Sequence, residues 1–310
     1  MNTKDKVAVC SRSFSKNKEL RAALLSNYAN VTFNDSGLQL EGNQLVQFLD
    51  GHDLAITALE KINDSILSKL PALKAIGKYG VGLDMIDFES MRKYKKRLGW
   101  TGGVNRRSVS ELALAFAIVM LRHVVAGNRE TISGTWRQHV GRQLSDSTVG
   151  IIGCGHVGKD LIQLLKPFGC QILVNDIVSY TEFYKAHDIK AVSLEELLSE
   201  ADIITLHIPL DATTKNILSK NRIQLMKKNA VLINTARGGL VDESALKDAL
   251  MSGQLGAAAF DVFAQEPPTD MELLNLPNFL ATPHIGGSSA EAILAMGLSA
   301  IKGLEVNEVP

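Results

Sequence analysis

Ten residues, V-G-I-I-G-C-G-H-V-G at Val149–Gly158, place three glycines between a short apolar strand and an amphipathic helix. Gly153, Gly155 and Gly158 have the spacing G-x-G-x-x-G. In such a turn the first glycine permits a tight bend, the second lets a ligand approach the backbone, and the third lets the helix pack closely against the strand. A second apolar run, Gln171–Asn175, follows the helix. The stretch therefore predicts a βαβ unit of the kind that binds a dinucleotide.

Asp176 follows this second strand, about twenty residues after the glycines, as a dinucleotide site requires. Its carboxylate would accept hydrogen bonds from the adenosine ribose and repel a 2′-phosphate, and Ile177 and Val178 provide no cation to attract one. The helix N-terminus would attract the pyrophosphate. We therefore predict NAD rather than NADP as cofactor, although a glycine-rich turn without a ligand is the alternative. The predicted cofactor residues of this unit are Gly153, Gly155, His156, Val157, Gly158 and Asp176.

The length of 310 residues, with 45% hydrophobic residues, suits two domains. Lys plus Arg (33) equals Asp plus Glu (33), so no global charge favours nucleic acid or an anionic membrane. The longest apolar run, Leu112–Leu121, is half the ~20 residues that cross a bilayer. We expect a small-molecule partner, with no nucleic acid and no membrane.

The three cysteines, Cys10, Cys154 and Cys170, lack C-x-x-C spacing and favour reduced thiols in a cytoplasmic protein. The N-terminus carries no apolar stretch typical of a signal peptide. The histidines other than His284 show no metal-ligand spacing, so no metal is predicted.

Strand-like apolar runs alternate with helical stretches in two series, which predicts an α/β fold with two parallel sheets. The first series occupies residues 1–98 and the second residues 99–285. Residues 286–310 look helical and are too few for a domain, so we expect them to return to the first domain. The first domain would then be discontinuous.

Ser108 and Glu111 have the spacing of a capping box just before the longest apolar run. A helix from Ser108 is predicted, and its apolar residues on all sides predict burial against more than one surface, including a subunit interface.

Three polar residues follow buried strands of the second series, where the carboxyl ends of parallel strands form the ligand crevice. Arg237 lies between small residues in N-T-A-R-G-G and suits a bidentate clamp on a carboxylate. His284 lies in the turn P-H-I-G-G and suits an acid or base near neutral pH. Glu266 beside it would favour the protonated imidazole. Singly, Arg237 could belong to a surface ion pair, His284 could be a turn histidine and Glu266 a loop carboxylate. Together the three residues predict a catalytic set.

These motifs resemble the D-isomer-specific 2-hydroxyacid dehydrogenase family over nearly the whole chain. Besides the glycine-rich turn, the resemblance is carried by L-L-S-E-A-D-I-I-T-L-H-I-P-L (197–210), N-T-A-R-G-G-L-V-D-E (234–243), F-D-V-F-A-Q-E-P-P (260–268) and P-H-I-G-G (283–287). The family implies two Rossmann-like or flavodoxin-like domains, a discontinuous substrate domain and an NAD-binding domain. It also implies a homodimer built by the long helix.

The resemblance further implies roles for individual residues. Arg237 would hold the substrate carboxylate and carbonyl, and His284, paired with Glu266, would exchange the proton during hydride transfer. Asp261 would bind the nicotinamide amide. The other implied cofactor positions are His207, Pro209, Thr235, Ala236 and Gly286, and the implied substrate positions in K-Y-G-V-G-L-D (78–84) are Lys78, Val81 and Gly82.

Within the family the chain resembles the phosphoglycerate dehydrogenase branch, but it departs from the usual pattern at Lys78, Met85 and Gly103. Lys78, Arg106 or Arg107 could meet a substrate phosphate, or the arginines could simply face solvent. Because the sequence stops at Pro310, we expect no C-terminal regulatory domain.

The resemblance predicts an NAD-dependent enzyme that interconverts a D-2-hydroxyacid and its 2-oxoacid. The substrate pair would be 3-phosphoglycerate and 3-phosphohydroxypyruvate, or the reaction would be reduction of glyoxylate or hydroxypyruvate. A non-catalytic NAD(H)-sensing protein on the same fold is the alternative. Oxidation of formate or phosphite is less favoured, because the extended chain of formate-oxidising relatives and a dedicated oxyanion signature are both missing.

Overall fold

The computed structural model describes residues 2–310. The chain folds into two compact units, one formed by the residues up to Asn105 together with Gly287–Pro310, the other by Arg106–Gly286. Each unit has one sheet in which all paired strands run parallel. The predicted fold class, α/β with two parallel sheets, is confirmed.

The first unit contains a five-stranded sheet in the order β2-β1-β3-β4-β5. Its strands are β1 (Asn2–Val9), β2 (Tyr28–Phe33), β3 (Leu54–Thr57), β4 (Ala75–Lys78) and β5 (Arg97–Gly99), and its helices are α1 (Arg12–Lys16), α2 (Lys18–Asn27), α3 (Gly42–Leu49), α4 (Asp64–Leu67), α5 (Phe88–Lys93) and α14 (Ala290–Gly303). The apolar runs Val7–Cys10, Val31–Phe33, Leu54–Ile56 and Lys74–Ile76 predict the first four strands. The sequence does not predict β5, which has only three residues and spans the predicted domain boundary at residues 98 and 99.

Helix α14 lies directly on β4 and β5 because glycines remove the side chains between them. A Cβ on Gly77 would lie 2.2 Å from the carbonyl oxygen of Ala300, and one on Gly99 would lie 2.0 Å from that of Gly303. Ser289 caps the start of the helix, and its hydroxyl accepts from the Ala292 amide at 3.2 Å. The last residues of the chain therefore complete the core of the first unit.

The second unit contains a seven-stranded sheet in the order β12-β11-β10-β9-β6-β7-β8. Its strands are β6 (Thr148–Ile152), β7 (Gln171–Asn175), β8 (Lys190–Ala191), β9 (Ile203–Leu206), β10 (Ala230–Asn234), β11 (Leu255–Phe260) and β12 (Phe279–Ala281), and its helices are α6 (Arg106–Leu121), α7 (Val124–Ile132), α8 (His156–Leu165), α9 (Thr181–His187), α10 (Leu194–Glu200), α11 (Lys220–Leu225), α12 (Glu243–Met251) and α13 (Met271–Asn275). The strand order reverses between β6 and β9. Ligands of open α/β sheets bind outside the carboxyl ends of the strands at such a switch point.

Helix α6 begins at Arg106, and the predicted capping box at Ser108 is wrong. Ser108 already lies in the first turn, and its hydroxyl donates to the carbonyl oxygen of Gly286 at 2.6 Å. The hydroxyl thus stabilises a neighbouring loop instead of the helix end. The apolar residues of α6 are buried on one side only, since Ile118 is 36% exposed on the other.

Among residues 2–310, no single helix is both long and apolar enough to cross a membrane. Helices α6 and α7 reach that length and composition only as a pair, which is bent by 62°.

Candidate active site

Six loops of the second unit leave the carboxyl ends of adjacent strands, and they carry most of the predicted site residues. The glycine-rich turn follows β6, Asp176 follows β7, His207 and Pro209 follow β9, Thr235 to Arg237 follow β10, Asp261 follows β11, and His284 follows β12. Parallel pairing places all six loops along one edge of the sheet. The sheet topology therefore gathers residues that lie far apart in sequence.

The turn after β6 has no room for side chains at two of its three glycines. Gly153 has φ of +100°, and a Cβ there would lie 2.6 Å from the carbonyl oxygen of His207 in the loop after β9. A Cβ on Gly158 would lie 2.1 Å from the carbonyl oxygen of Gly153. Only glycine fits either position, so α8 starts directly against the end of β6.

Gly155 differs from the other two glycines, because a Cβ there would point into open space. It is the residue before α8, and it provides no side chain to cap the helix amides; the first turn, which includes His156 and Val157, carries no acidic residue. A helix N-terminus with open amides favours an anion. The turn therefore suits a dinucleotide pyrophosphate.

Asp176 connects the end of β7 to this turn. Its carboxylate accepts from the Cys154 amide at 2.5 Å and from the Val178 amide at 2.8 Å. Each carboxylate oxygen has two acceptor sites, so both oxygens retain one for a ribose hydroxyl. The side chain that would select NAD also fixes the glycine-rich turn.

Two buried polar atoms beside this turn have no hydrogen-bond partner within residues 2–310. They are Nδ1 of His207 and Oγ1 of Thr235, at the ends of neighbouring strands. The other ring nitrogen of His207, Nε2, lies 3.0 Å from the Thr205 hydroxyl. Burial lowers the pKa of His207 to about 3, so the ring is neutral at neutral pH. Buried polar atoms are rarely left without a partner, and a bound cofactor would supply one.

The turn that carries Arg237 is shaped by Asn234 at the end of β10. The Asn234 side chain accepts from the Ala236 amide at 3.1 Å and donates to the Arg237 carbonyl oxygen at 2.8 Å. The Arg237 guanidinium is half-buried and donates through Nη1 to the Ala236 carbonyl oxygen at 2.7 Å. The cation is therefore held close to its own turn.

His284 and Glu266 form a direct pair. Nδ1 of His284 lies 2.8 Å from Oε2 of Glu266, and the other carboxylate oxygen accepts from the Phe263 amide at 3.1 Å. The His284 side chain is 50% exposed. With Nδ1 bound to the carboxylate, Nε2 is the nitrogen that can exchange a proton with a substrate.

Asp261 is almost fully buried and holds the loop that carries His284. Oδ1 accepts from the Thr282 hydroxyl at 2.5 Å and from the Ile285 amide at 2.7 Å, and Oδ2 accepts from the Gly286 amide at 2.7 Å. The carboxylate thus makes three of the about four hydrogen bonds that it can accept. The family resemblance implied a contact of Asp261 with nicotinamide; the structure adds this structural role.

The predicted substrate loop belongs to the first unit. The Lys78 ammonium is buried and donates to the carbonyl oxygens of Ala58 at 2.7 Å and Tyr79 at 3.1 Å. It therefore joins the loops that follow β3 and β4. The amides of Val81 and Gly82 make no hydrogen bond among the residues described here. The contacts of Lys78, Val81 and Gly82 with substrate stay predictions.

Arg107 does not fit the role of a phosphate ligand. Its Nε and Nη2 bind the two carboxylate oxygens of Asp160 at 2.8 and 3.0 Å. The Arg106 Nε lies 4.0 Å from the same carboxylate. This ion pair connects α6 to α8, and its partner lies 53 residues away in sequence, which is why the sequence did not reveal it.

Two contributors to the site escaped the sequence analysis. Asn234 was quoted only as part of a motif and given no role, although an asparagine that ends an apolar run is a turn signal. Asp160 gave no signal, because an acidic residue on a helix is usually solvated. Among residues 2–310, no group of three or more His, Cys, Asp or Glu residues is arranged to hold a metal ion.

The profile of the "D-isomer specific 2-hydroxyacid dehydrogenase, NAD binding domain" matches residues 114–286. The chain belongs to the D-isomer specific 2-hydroxyacid dehydrogenase family. The matched residues are those of the NAD-binding domain, and the predicted cofactor NAD is confirmed.

Relatives of this chain carry several names. It is 36% identical over 256 residues to D-3-phosphoglycerate dehydrogenase of Methanocaldococcus jannaschii, covering 82% of this chain but 49% of that protein. It is 34% identical to hydroxypyruvate reductase of Thermotoga maritima, covering 85% and 87% of the two chains. The solved structure of D-2-hydroxyisocaproate dehydrogenase superposes with a TM-score of 0.86 at 25% identity, covering 98% and 96%. The chain thus spans about half the length of the phosphoglycerate dehydrogenase and most of the other two.

Proposed function

We propose that this protein is an NAD-dependent oxidoreductase that interconverts a D-2-hydroxyacid and its 2-oxoacid. The observation that carries the proposal is the His284–Glu266 pair, with Nδ1 and Oε2 2.8 Å apart, at the same sheet edge as the glycine-rich turn. A module that only binds NAD(H) has no need of this pair or of Arg237 on the neighbouring loop. Family membership supports the same reaction class.

The chain's own residues supply the proton and the substrate contact. When bound, NADH supplies the hydride. His284 donates a proton from Nε2 to the carbonyl oxygen during reduction and takes it back during oxidation. Glu266 fixes the orientation of the ring through Nδ1. Arg237 binds the substrate carboxylate, a planar anion that matches the guanidinium.

The substrate is a small 2-oxoacid, and hydroxypyruvate or glyoxylate suits the structure better than 3-phosphohydroxypyruvate. Two cations considered for a phosphate contact are already engaged, Arg107 with Asp160 and Lys78 with backbone carbonyl oxygens. A phosphate would have to compete with these partners. We therefore propose reduction of unphosphorylated substrates, with phosphoglycerate oxidation as the second candidate.

A substrate panel tests this proposal. Purified protein is incubated with NADH and with glyoxylate, hydroxypyruvate, 3-phosphohydroxypyruvate, pyruvate or 2-oxoglutarate, and NADH absorbance is followed. NADPH serves as the parallel cofactor, and we expect it to be the poorer substrate because Asp176 repels a 2′-phosphate. Turnover of hydroxypyruvate or glyoxylate supports the proposal. NADH binding without turnover of any oxoacid supports the NAD(H)-sensing alternative.

We also propose that the protein forms a homodimer through α6, α7 and the segment that follows. Four large apolar side chains there are exposed, namely Ile118 (36%), Ile132 (79%), Trp136 (85%) and Val140 (94%). Exposed apolar side chains of this size favour an interaction surface, and a second copy would cover them. Sedimentation should give a dimer for the wild type and a monomer for Trp136→Asp with Val140→Asp. A monomeric wild type would contradict the proposal.

The cytoplasmic location stays a prediction.

A further inference from the structure

Two successive amides in the loop after β11 are each bound by a glutamate. The Phe263 amide donates to Oε1 of Glu266 at 3.1 Å, and the Ala264 amide donates to Oε1 of Glu243 at 2.7 Å. Glu266 uses its other oxygen to hold His284. The Phe263–Ala264 segment therefore connects Glu243 to the acid–base pair through consecutive backbone groups.

Packing alone does not hold this segment on every side. The Arg237 turn presses against one side, where a Cβ on Gly238 would lie 1.9 Å from the carbonyl carbon of Phe263. Another side borders a cavity of about 250 Å³, lined by Glu243, Ala264 and Asp270 among others. A loop that faces a cavity can shift toward it, and the Glu243 carboxylate is bonded to the loop beside that cavity.

Glu243 is a firm point of attachment. It is the first residue of α12, whose start is capped by Asp242 through a 3.0 Å hydrogen bond from the Ala245 amide. The inner face of α12 is buried in the core, at residues such as Leu246 and Leu250. Burial raises the pKa of Glu243, and the nearby carboxylates of Asp270 and Glu266 raise it further. Burial of this carboxylate beside two others disfavours its charged form. The hydrogen bond that it accepts from the Ala264 amide offsets part of this effect.

We propose that Glu243 is a positioning residue for catalysis: by holding the Ala264 amide, it orients the Phe263 amide toward Glu266 and so keeps Glu266 directed at His284. The proposal rests on the proposed function, because it needs the His284–Glu266 pair to act in the reaction. Glu243 itself contacts neither substrate nor cofactor in this account.

The test compares Glu243→Ala with Glu243→Gln. The glutamine keeps an oxygen that can accept from Ala264, whereas the alanine does not. We expect Glu243→Ala to lower kcat about 10-fold to 100-fold, the cost of a small misplacement of a reacting group, with the Kd for NADH unchanged. Glu243→Gln should recover most of the lost rate. Ser244→Ala, at the next and exposed position of α12, is the matched control and should behave as wild type.

A double-mutant cycle identifies the route of the effect. If Glu243 acts through Glu266, Glu243→Ala should cost little further rate in a Glu266→Gln background. A wild-type kcat in Glu243→Ala, an equal loss in Glu243→Gln, or fully additive losses in the cycle would each overturn the proposal. If Glu243→Ala does not fold, Glu243→Asp replaces it: this variant keeps the charge but withdraws the oxygen by one methylene, and it should be slower than Glu243→Gln.

Failure of this inference and failure of the proposed function are distinguishable. A wild-type protein that binds NADH but reduces no 2-oxoacid refutes the proposed function. A wild type that turns over, together with a Glu243→Ala variant of equal rate, refutes only the positioning role.

Discussion

At the residue scale, buried Asp261 holds the loop that carries His284, a role that the sequence did not show. The family resemblance implied a contact with nicotinamide, and in the structure the carboxylate accepts hydrogen bonds from the Thr282 hydroxyl and from the amides of Ile285 and Gly286. Three donors to one carboxylate fix the loop on both sides of His284. The position of His284 therefore depends on a carboxylate in the loop that follows β11.

Asp261→Asn tests this dependence. The amide has one acceptor oxygen, and its NH₂ group would face buried donors, so we expect a loss of about 1–3 kcal/mol in the free energy of unfolding. The kcat should fall as well, because the His284 loop loosens. Urea denaturation and NADH turnover measure the two effects. Asp248→Asn, an exposed aspartate on α12, is the control. Unchanged stability in Asp261→Asn would contradict the structural role.

Gly155 and Gly158 should respond differently to alanine. A Cβ on Gly155 enters open space at an ordinary φ of −77°, so Gly155→Ala should fold normally and bind NADH at least about tenfold more weakly, since the methyl occupies the approach to the pyrophosphate. A Cβ on Gly158 would collide with the carbonyl oxygen of Gly153, so Gly158→Ala should lower the melting temperature. Calorimetry of binding and of unfolding separates the two effects. Equal melting temperatures for both variants would contradict this account of the turn.

The sequence could predict the roles of residues that form one contiguous motif. It could not predict roles that depend on partners far away in the sequence. The glycine spacing and Asp176 predicted the cofactor site because turn geometry is local. The sequence left Lys78 and Arg107 open as phosphate ligands, because it does not show their partners. These partners, Ala58 and Asp160, are separated from them by other elements.

At the element scale, α6 is joined to α8 by the Asp160 carboxylate. Asp160 binds Arg107 bidentately and also the Ser110 hydroxyl, and its own side chain is only 8% exposed. Burial by itself raises the pKa of Asp160, but the hydrogen bonds from Arg107 and Ser110 outweigh it, and the net pKa is lowered. The pair therefore stabilises the contact of the two helices while the carboxylate is ionised.

The sign of the pH dependence follows from the lowered pKa. The stabilisation is complete above the ordinary aspartate pKa of about 3.9 and is lost as the pH falls through the lower folded value. Asp160→Asn should therefore cost about 1–3 kcal/mol at pH 7, and this difference should shrink below about pH 4. Denaturant unfolding between pH 3 and pH 7 measures it, with the exposed Asp146→Asn as control. A difference that does not change with pH would contradict the role of the charge.

Two short strands were missed by the sequence. Strands β5 and β8 have three and two residues, and neither contains an apolar run long enough to show a period. The start of α6 was misplaced because Ser108 has the residue type of a helix cap but bonds to a loop that is distant in sequence. The long strands of both sheets were predicted, since continuous apolar runs are typical of strands buried on both faces.

At the scale of the whole molecule, the strand order of the second unit determines where chemistry can occur. The reversal between β6 and β9 places the glycine-rich turn beside the loop of His207, and the following strands extend the same edge through Arg237 to His284. A sequence gives the order of these motifs but not their neighbours in the sheet. The topology supplies that information, and family membership agrees with it.

The central claim is that His284 is the acid–base group of an NAD-dependent 2-oxoacid reductase. The most direct measurement compares kcat for NADH-dependent reduction of the preferred oxoacid by wild type and His284→Ala, with the Kd for NADH measured on the same preparations. The account predicts a kcat lower by about 10² to 10⁴ with an unchanged Kd, as expected for loss of general acid catalysis. A His284→Ala variant that turns over at the wild-type rate would contradict it.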